Sequence, residues 1–399
     1  MRSPFPVIEL DFVKFSLSWN CWPVPLLKFE FSQSEFESRK KRTLDLAEES
    51  GCGGVFTFGE NRNGTGITWI TGWGTTRLAY HFLTHSESIL WIMFHNHIPA
   101  ARRSIKGSIV RDFDFSEIEL LLHKFANSKV GTLGVVPQDF RSVAQKNNVE
   151  LVALDTKHAN LRIIKSKEEI EALRQGAYAT DCGAEAILDA CKNDVTDWEL
   201  LARARSSYTS IGARDHICYI CVSEMRSPDR DVPAQFPEGR IVKSGSVVTF
   251  EISAAVSPEY PGQLLRTISI GKPNQLFQEL HEVAQVTLAR MRQILRPGIN
   301  AMDLVHESRV IEESGFTTTD DLFHGLGGGY LPPIGTSSSR IPNSNPDMVL
   351  QPGMAIVLQP NVTTKDHSAG VQTGQMVIIT TDGFEDIHKV KTGLIQIDR

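Results

Sequence analysis

The sequence predicts a two-domain protein of the α/β class. We expect an amino-terminal α/β domain over residues 1–160 and a carboxy-terminal α+β domain over residues 161–399, with a curved, mostly antiparallel sheet. The 399 residues suffice for two or three domains of about 150 residues each. Short apolar runs alternate with helical patterns up to about residue 160, and after it long helical patterns are interspersed with strand-like runs.

The amino-terminal domain begins with a stretch rich in proline and tryptophan, up to about residue 31. We expect this arm to lie on a surface, either of this chain or of a second subunit. The stretch SQSEFESRKKRTLDLAEESG places apolar residues among charges and stops at Gly51, which predicts a helix. The later runs GGVFTF, HSESILWIMF, GTLGVVP and VELVAL alternate with helical patterns and are typical of an α/β domain.

The carboxy-terminal domain opens with a capping box, in which Ser166 and Glu169 can satisfy the first amides of a helix. Apolar residues recur at helical spacing up to Cys191. LFQELHEVAQVTLARMRQIL predicts a second helix, and Asp303 to Glu313 a third that ends at Gly315. The runs SVVTFEISAAV, QLLRTISIG, MAIVLQPNV and QMVIITTDG predict the strands of the sheet.

The composition excludes several classes of protein. A hydrophobic content of 41% and a charged content of 22% are typical of a globular protein. The net charge of −6 disfavours nucleic acid as a partner, and no apolar window reaches the ~18–20 residues of a membrane span. The first residues do not have the pattern of a signal peptide, and six cysteines in so long a chain do not indicate a disulfide framework. We therefore expect a soluble, cytoplasmic protein.

Five motifs in a fixed order resemble one known family. They are ITWITGWG, RIIKSKEEIEALRQGAYATDCG, FHGLGGGY, LQPGMAIVLQPNV and GVQTGQMVIITTDGFEDI. Together they resemble the family of creatinase, prolidase and Xaa-Pro aminopeptidase, known as M24, over roughly residues 35–395. The resemblance implies the pita-bread fold for the carboxy-terminal domain and a creatinase/prolidase-like domain before it.

The resemblance also implies a pair of bridged divalent metal ions, held in the family's peptidases by two aspartates, one histidine and two glutamates. Matched motif by motif, those five positions fall on Glu251, Gln263, His324, Gln359 and Gly374, the last beside Gln375. A neutral glutamine does not supply the negative charge that a dinuclear cluster needs. We therefore predict no metal and no other cofactor.

His324 and Glu251 are the candidate catalytic residues. Histidine exchanges protons near neutral pH, which suits acid/base work. Glu251 stands in an otherwise apolar strand, where burial would raise its pKa and make it a general acid or base. The plainer alternatives are a structural histidine and a glutamate that faces solvent.

The candidate substrate-binding residues are polar groups that the resemblance places in or near the pocket. Gln263 and Gln359 are expected to orient the substrate, and Arg340 is expected to hold a carboxylate, as an arginine in a comparable stretch of creatinase does. Arg77 is expected to reach the pocket of a partner subunit. The remaining two candidates are Arg266, in the family's "RT" pair, which the resemblance makes either structural or a neighbour of the pocket, and Tyr330.

These residues predict a metal-independent, creatinase-like enzyme. Its expected substrate is a small polar metabolite with a carboxylate and a C–N bond, cleaved by acid/base hydrolysis or by elimination. We expect a homodimer with the active site near the subunit interface. Two alternatives stay open: an Xaa-Pro metallopeptidase with an unusual metal site at Glu251 and His324, and a non-catalytic binding module that resembles the amino-terminal domain of the FACT large subunit.

Overall fold

A computed structural model describes residues 26–61, 64–234, 236–337 and 347–398. Most of the predicted amino-terminal arm, residues 1–25, and Arg340 lie outside the described residues. Two β-sheets dominate the described chain, and the fold class predicted from the sequence is confirmed. No helix in the described ranges is both long and apolar enough to cross a membrane.

The amino-terminal part of the chain folds around a six-stranded mixed sheet with helices on it. The strands are β1 (Val55–Gly59), β2 (Ala79–Leu83), β3 (Ser88–Ile92), β4 (Ile109–Asp112), β5 (Lys129–Leu133) and β6 (Glu150–Ala153). The helices are α1 (Gln33–Glu49), α2 (Thr65–Thr71), α3 (Ile98–Ser104), α4 (Phe115–Lys124), α5 (Gln138–Lys146) and α6 (Asp155–Leu161), with a 3₁₀ turn at His95–His97. The sheet order is β4-β3-β2-β1-β5-β6, and only the two pairs that include β2 are antiparallel.

The carboxy-terminal part contains a nine-stranded sheet. Its strands are β7 (Arg214–Glu224), β8 (Ser246–Ala255), β9 (Leu264–Ile270), β10 (Phe323–Leu326), β11 (Tyr330–Gly335), β12 (Ala355–Leu358), β15 (Gly374–Ile379), β16 (Phe384–Asp386) and β17 (Ile395–Ile397). The path β11-β10-β12-β15-β9-β8-β7 is antiparallel throughout, and β17 adds to β9 in parallel. A separate hairpin joins β13 (Val362–Thr363) to β14 (Gly370–Val371).

The described residues of this part also form five helices: α7 (Lys167–Ala190), α8 (Asp197–Ser210), α9 (Gln275–Ile294), α10 (Ala301–Glu307) and α11 (Val310–Glu313). The predicted helices at α1, α7 and α9 are confirmed, and α7 begins with the predicted capping box. The third prediction was wrong, because α10 and α11 are separate helices. The Ser308 hydroxyl between them donates to the Val305 carbonyl oxygen at 2.8 Å, a local bond that competes with a continuous helix.

The packing of β8 decides which of its side chains face helices. Val248, Phe250 and Ile252 are buried in one apolar cluster with residues of α7 and α8. Successive side chains of a strand point to opposite faces, so Glu251 points away from these two helices. The strand therefore presents a carboxylate to the other face of the sheet, where the candidate site lies.

A buried polar contact joins the two parts of the chain. The guanidinium of Arg39, in α1, donates to Glu169 Oε1 at 3.1 Å and to the Tyr260 hydroxyl at 3.1 Å. Arg39 and Glu169 are each only 1% exposed. Because each charge of so deeply buried a pair needs its partner, the contact holds α1 against the residues of the carboxy-terminal part that it touches.

Candidate active site

Four of the predicted residues meet at the centre of the nine-stranded sheet. Glu251 lies within β8, Gln263 directly precedes β9, His324 is in β10, and Gln359 directly follows β12. His324 is paired with Val357, two residues before Gln359, so both side chains are on one face. Each of the four is at most 5% exposed.

The Gln263 side chain is at the centre of this group. Its amide nitrogen Nε2 donates to Glu251 Oε1 at 2.7 Å and to Gln359 Oε1 at 3.1 Å. The same nitrogen lies 3.5 Å from Nε2 of His324. The two hydrogens of a single amide group thus join Glu251 to Gln359, and the same group lies beside His324.

Three further polar residues complete the group, and the sequence analysis missed them. Gln372 Nε2 donates to Glu251 Oε2 at 3.3 Å. Gln359 Nε2 and Asn361 Nδ2 both donate to Asp320 Oδ2, at 3.0 and 3.1 Å. Asp320 was identifiable in principle, because it lies four residues before His324, but a carboxylate in a loop has no signature of its own.

Burial and nearby negative charge perturb Glu251. Burial and, to a smaller extent, the charges of Asp320 and Asp321 raise the pKa of Glu251 to about 8, against the hydrogen bonds from Gln372 and Gln263. Glu251 therefore holds its proton at neutral pH. A carboxylic acid in this state can donate a proton to a substrate.

His324 is perturbed in the opposite direction. Burial lowers the pKa of His324 to about 4, so the imidazole is neutral at neutral pH. Its Nδ1 lies 3.2 Å from the carbonyl oxygen of Gly325, which can only accept, so Nδ1 carries the hydrogen. The other nitrogen, Nε2, is then unprotonated and faces Gln263 as a potential base.

Tyr330 covers His324 from the side of the solvent. The two rings stack with centroids 4.3 Å apart and planes inclined by 29°, and Tyr330 is 53% exposed. Its hydroxyl donates to Asp321, and burial, with this bond, raises the pKa of Tyr330 above its ordinary value. The turn that places Tyr330 needs glycine, because residues 327–329 have φ of +98°, +73° and +112°.

Arg266 and Gln375 lie on the opposite face of the sheet. Arg266 is paired with Phe250, the neighbour of Glu251, so its side chain points away from the site. Its guanidinium donates to four main-chain carbonyl oxygens and to Gln375 Oε1 at 2.7 Å. The structure therefore does not bring Arg266 to the candidate site; its contacts cross-link the sheet to residues 390–391.

The other predicted arginine with described coordinates, Arg77, lies in the amino-terminal part of the chain. It is exposed in the amino-terminal part, with its guanidinium carbon 5.0 Å from the centre of the Phe94 ring. Its role in a partner's pocket stays a prediction, as does the role of Arg340.

The mixed sheet, the antiparallel sheet and their helices define a protein of the pita-bread class, and comparison with known proteins identifies the family. The model of metallopeptidase family M24 matches residues 171–381, which is more than half of the chain, so the protein belongs to this family. An Xaa-Pro dipeptidase of Pyrococcus furiosus is 26% identical over 302 residues, which cover 74% of this chain and 83% of that one. An uncharacterized peptidase of Staphylococcus aureus is 28% identical over 228 residues, and this match covers 56% of this chain and 62% of that protein.

Solved structures confirm the fold. The prolidase of Pyrococcus horikoshii matches with a TM-score of 0.75 at 20% identity, over 90% of this chain and 100% of that one. The X-Pro aminopeptidase of Thermotoga maritima matches with a TM-score of 0.77 at 18% identity, over 90% of this chain and 99% of that one. At these identities the likeness concerns the architecture alone.

The donor atoms of the site do not fit the two metal ions that the family implies. Glu251 is the one carboxylate among the five family ligand positions, and Gln263 presents its NH₂ group to that carboxylate. Gly374 has φ +145°, and a Cβ atom there would lie 2.0 Å from the Leu358 carbonyl oxygen, so no side chain fits at the fifth position. Within the described ranges, no three His, Cys, Asp or Glu residues are placed to hold a metal.

Proposed function

We propose that the protein is a hydrolase that cleaves a C–N bond in a small, polar, peptide-like substrate, with Glu251 as general acid and His324 as general base. One observation carries the proposal: the Gln263 amide lies within hydrogen-bond distance of Glu251 and Gln359 and beside His324. Hydrogen bonds thus connect the side chains at the family's ligand positions. Two titratable side chains remain on one face of the sheet: Glu251, which is protonated at neutral pH, and His324, which is neutral and unprotonated at Nε2.

Membership of the M24 family and the names of the relatives support a peptide-type bond as the substrate. The relatives that match over most of their length are called dipeptidases, prolidases or aminopeptidases. These names favour a peptidase over the creatinase-like enzyme expected from the sequence. They give no support to the elimination reaction that the same acid/base pair could perform.

The proposed hydrolysis needs one proton acceptor and one proton donor. His324 Nε2 takes a proton from water, whose oxygen forms a bond to the substrate carbonyl carbon. The C–N bond breaks, and the Glu251 carboxyl gives its proton to the leaving nitrogen. The proton held by His324 then returns to Glu251 through water, so that the reaction consumes one water molecule.

In this proposal Arg340 and Arg77 bind the carboxylate of the substrate. A guanidinium can hold a substrate carboxylate with two parallel hydrogen bonds. Arg77 would do so only in a homodimer, so sedimentation of the purified protein tests that part separately. If the protein is a monomer and still turns over its substrate, Arg77 has no role in the site.

The experiment is a turnover assay on the purified full chain with a panel of small dipeptides, including Xaa-Pro dipeptides, and of N-substituted amino acids. Glu251→Gln and His324→Gln are expected to lower kcat by about 10²-fold to 10⁴-fold, the usual effect of removing an acid or base. Glu385→Gln and His367→Gln are matched controls, because these side chains contact Arg174 and Asp231 at the surface. The controls are expected to keep the turnover of the unsubstituted protein.

A second candidate, a metallopeptidase with a reduced metal site, is favoured by the family match itself. The same assay is therefore run with and without a chelator, together with elemental analysis of the protein. Turnover that a chelator abolishes, in protein that holds stoichiometric metal, establishes the second candidate and contradicts the first. Ligand binding without turnover of any substrate contradicts both and indicates a binding module.

A further inference from the structure

An unbroken chain of hydrogen bonds runs from Asp320 to Glu251 through two glutamine side chains. Asp320 Oδ2 accepts from Gln359 Nε2 at 3.0 Å, and Gln359 Oε1 accepts from Gln263 Nε2 at 3.1 Å. Gln263 Nε2 also donates to Glu251 Oε1 at 2.7 Å. The three inner residues are each at most 5% exposed, so no bulk water competes for these bonds.

The chemistry of Asp320 decides the direction of the whole chain. An ionised carboxylate only accepts hydrogen bonds, so Gln359 must turn its NH₂ group toward Asp320. The Gln359 side-chain oxygen then faces Gln263, and only the NH₂ group of Gln263 can donate to it. That group is the one that reaches Glu251, so the orientation set at Asp320 is transmitted to Glu251.

A second contact braces Asp320. Asn361 Nδ2 donates to the same Oδ2 atom at 3.1 Å, and Asn361 Oδ1 accepts from the main-chain nitrogen of Thr373 at 3.3 Å. Thr373 follows Gln372, the other amide that donates to Glu251. Asp320 is thus tied to both amides that hold Glu251, to one through side chains and to the other through the main chain.

We propose that Asp320 is a positioning residue that fixes the direction of the Gln359 and Gln263 amides and thereby the hydrogen bond received by Glu251. Its effect on turnover rests on the function proposed above, whereas its effect on the amide chain does not. Asp320 does not need to contact the substrate for this role.

The test is a rescue experiment on the full chain with Asp320→Asn, Gln359→Glu and the double substitution. An asparagine at position 320 can donate as well as accept, so the direction of the chain is no longer fixed. The carboxylate introduced by Gln359→Glu faces the carboxylate of Asp320 and repels it. In the double variant the asparagine turns its NH₂ group toward the new carboxylate, at the cost of the bond from Asn361. The new carboxylate accepts from Gln263, so the orientation of Gln263 is restored.

Each single variant is expected to lower kcat/KM by about 10-fold to 100-fold, the range for a lost hydrogen bond to a charged group, and to lower the melting temperature. The double variant is expected to recover to within about 5-fold of the original kcat/KM and to melt above both single variants. Asp321→Asn combined with Gln359→Glu is the control. The Asp321 carboxylate accepts from Tyr330, and only the main-chain nitrogen of Asp321 bonds Asp320, a contact that the substitution keeps, so this pair is expected to show no recovery.

A double variant that is no better than the worse single variant, in melting temperature, overturns the proposal even if no substrate is found. Recovery of the melting temperature without turnover in any variant supports the amide chain and contradicts the proposed hydrolase. The two proposals therefore fail through different measurements.

Discussion

Replacing Glu251 by glutamine is expected to change how the stability of the protein depends on pH. In the folded protein, burial and the charge of Asp320 raise the pKa of Glu251 from 4.5 to about 8. Between these two values the unfolded chain releases the proton and the folded chain keeps it. The free energy of unfolding therefore falls as pH rises from about 4.5 to about 8, and the contribution is constant outside that window.

The interval between the two pKa values corresponds to about 5 kcal/mol, at about 1.4 kcal/mol for each pH unit. Glu251→Gln removes this pH-dependent fall in the free energy of unfolding, because an amide does not titrate. The variant also has a fixed cost: Gln263 and Gln372 both donate to Glu251, and a glutamine there turns its own NH₂ group toward one of them. The prediction therefore concerns how the difference in unfolding free energy between the variant and the unsubstituted protein changes with pH.

The assay is urea unfolding of both proteins between pH 5 and pH 9, followed by circular dichroism and extrapolated to zero urea. The unfolding free energy of the variant, minus that of the unsubstituted protein, is expected to rise by about 1.4 kcal/mol per pH unit up to about pH 8 and then to level off. Glu385→Gln, at an exposed ion pair, controls for changes elsewhere in the chain. A difference that stays flat over this range refutes a buried, protonated Glu251.

Three further outcomes are expected. The pH profile of kcat/KM should rise through about pH 4, where His324 becomes neutral, and fall through about pH 8, where Glu251 loses its proton; a profile without the second limb contradicts the acid role. Gly374→Ala should cost about 3 kcal/mol or more in urea unfolding, because its Cβ meets a main-chain oxygen at 2.0 Å, whereas Gly383→Ala, with open space around it, should cost far less. Arg39→Met should cost about 3–5 kcal/mol because it leaves a buried carboxylate unpaired, and a Tm within a degree of the original contradicts that.

The fold was predictable because its signals are local. The capping box at Ser166 and the apolar spacing that follows it define α7 without reference to any other part of the chain. The four predicted strand runs coincide with β8, β9, β12 and β15, because long apolar runs between turns have few alternatives. Local signals were ambiguous where the apolar run is short, as in GITWITGWG, which folds into helix α2 and stops at Gly72 with φ +76°.

The candidate site was predictable only in part, because it depends on strand register. Motif positions correctly brought Glu251, Gln263, His324 and Gln359 together. The same motif reading left Arg266 either structural or near the pocket, and the structure favours the first, because Arg266 lies one residue out of phase with the site and so on the other face of the sheet. Asp320 stayed undetected because its role comes from two bonds across the sheet rather than from any spacing along the chain.

The charges in the site link the missing metal ligands to the protonation of Glu251. Two divalent ions carry four positive charges, which the family's four carboxylates balance, whereas Glu251 and Asp320 together supply two at most. Since Glu251 and its bonding partners are almost fully buried, an uncompensated charge there costs several kcal/mol. The hydrogen bonds from Gln263 and Gln372 offset burial and the charge of Asp320 only in part, so Glu251 keeps its proton. The same replacement of carboxylates by amides that disfavours a pair of metal ions therefore creates the acid on which the proposed hydrolysis depends.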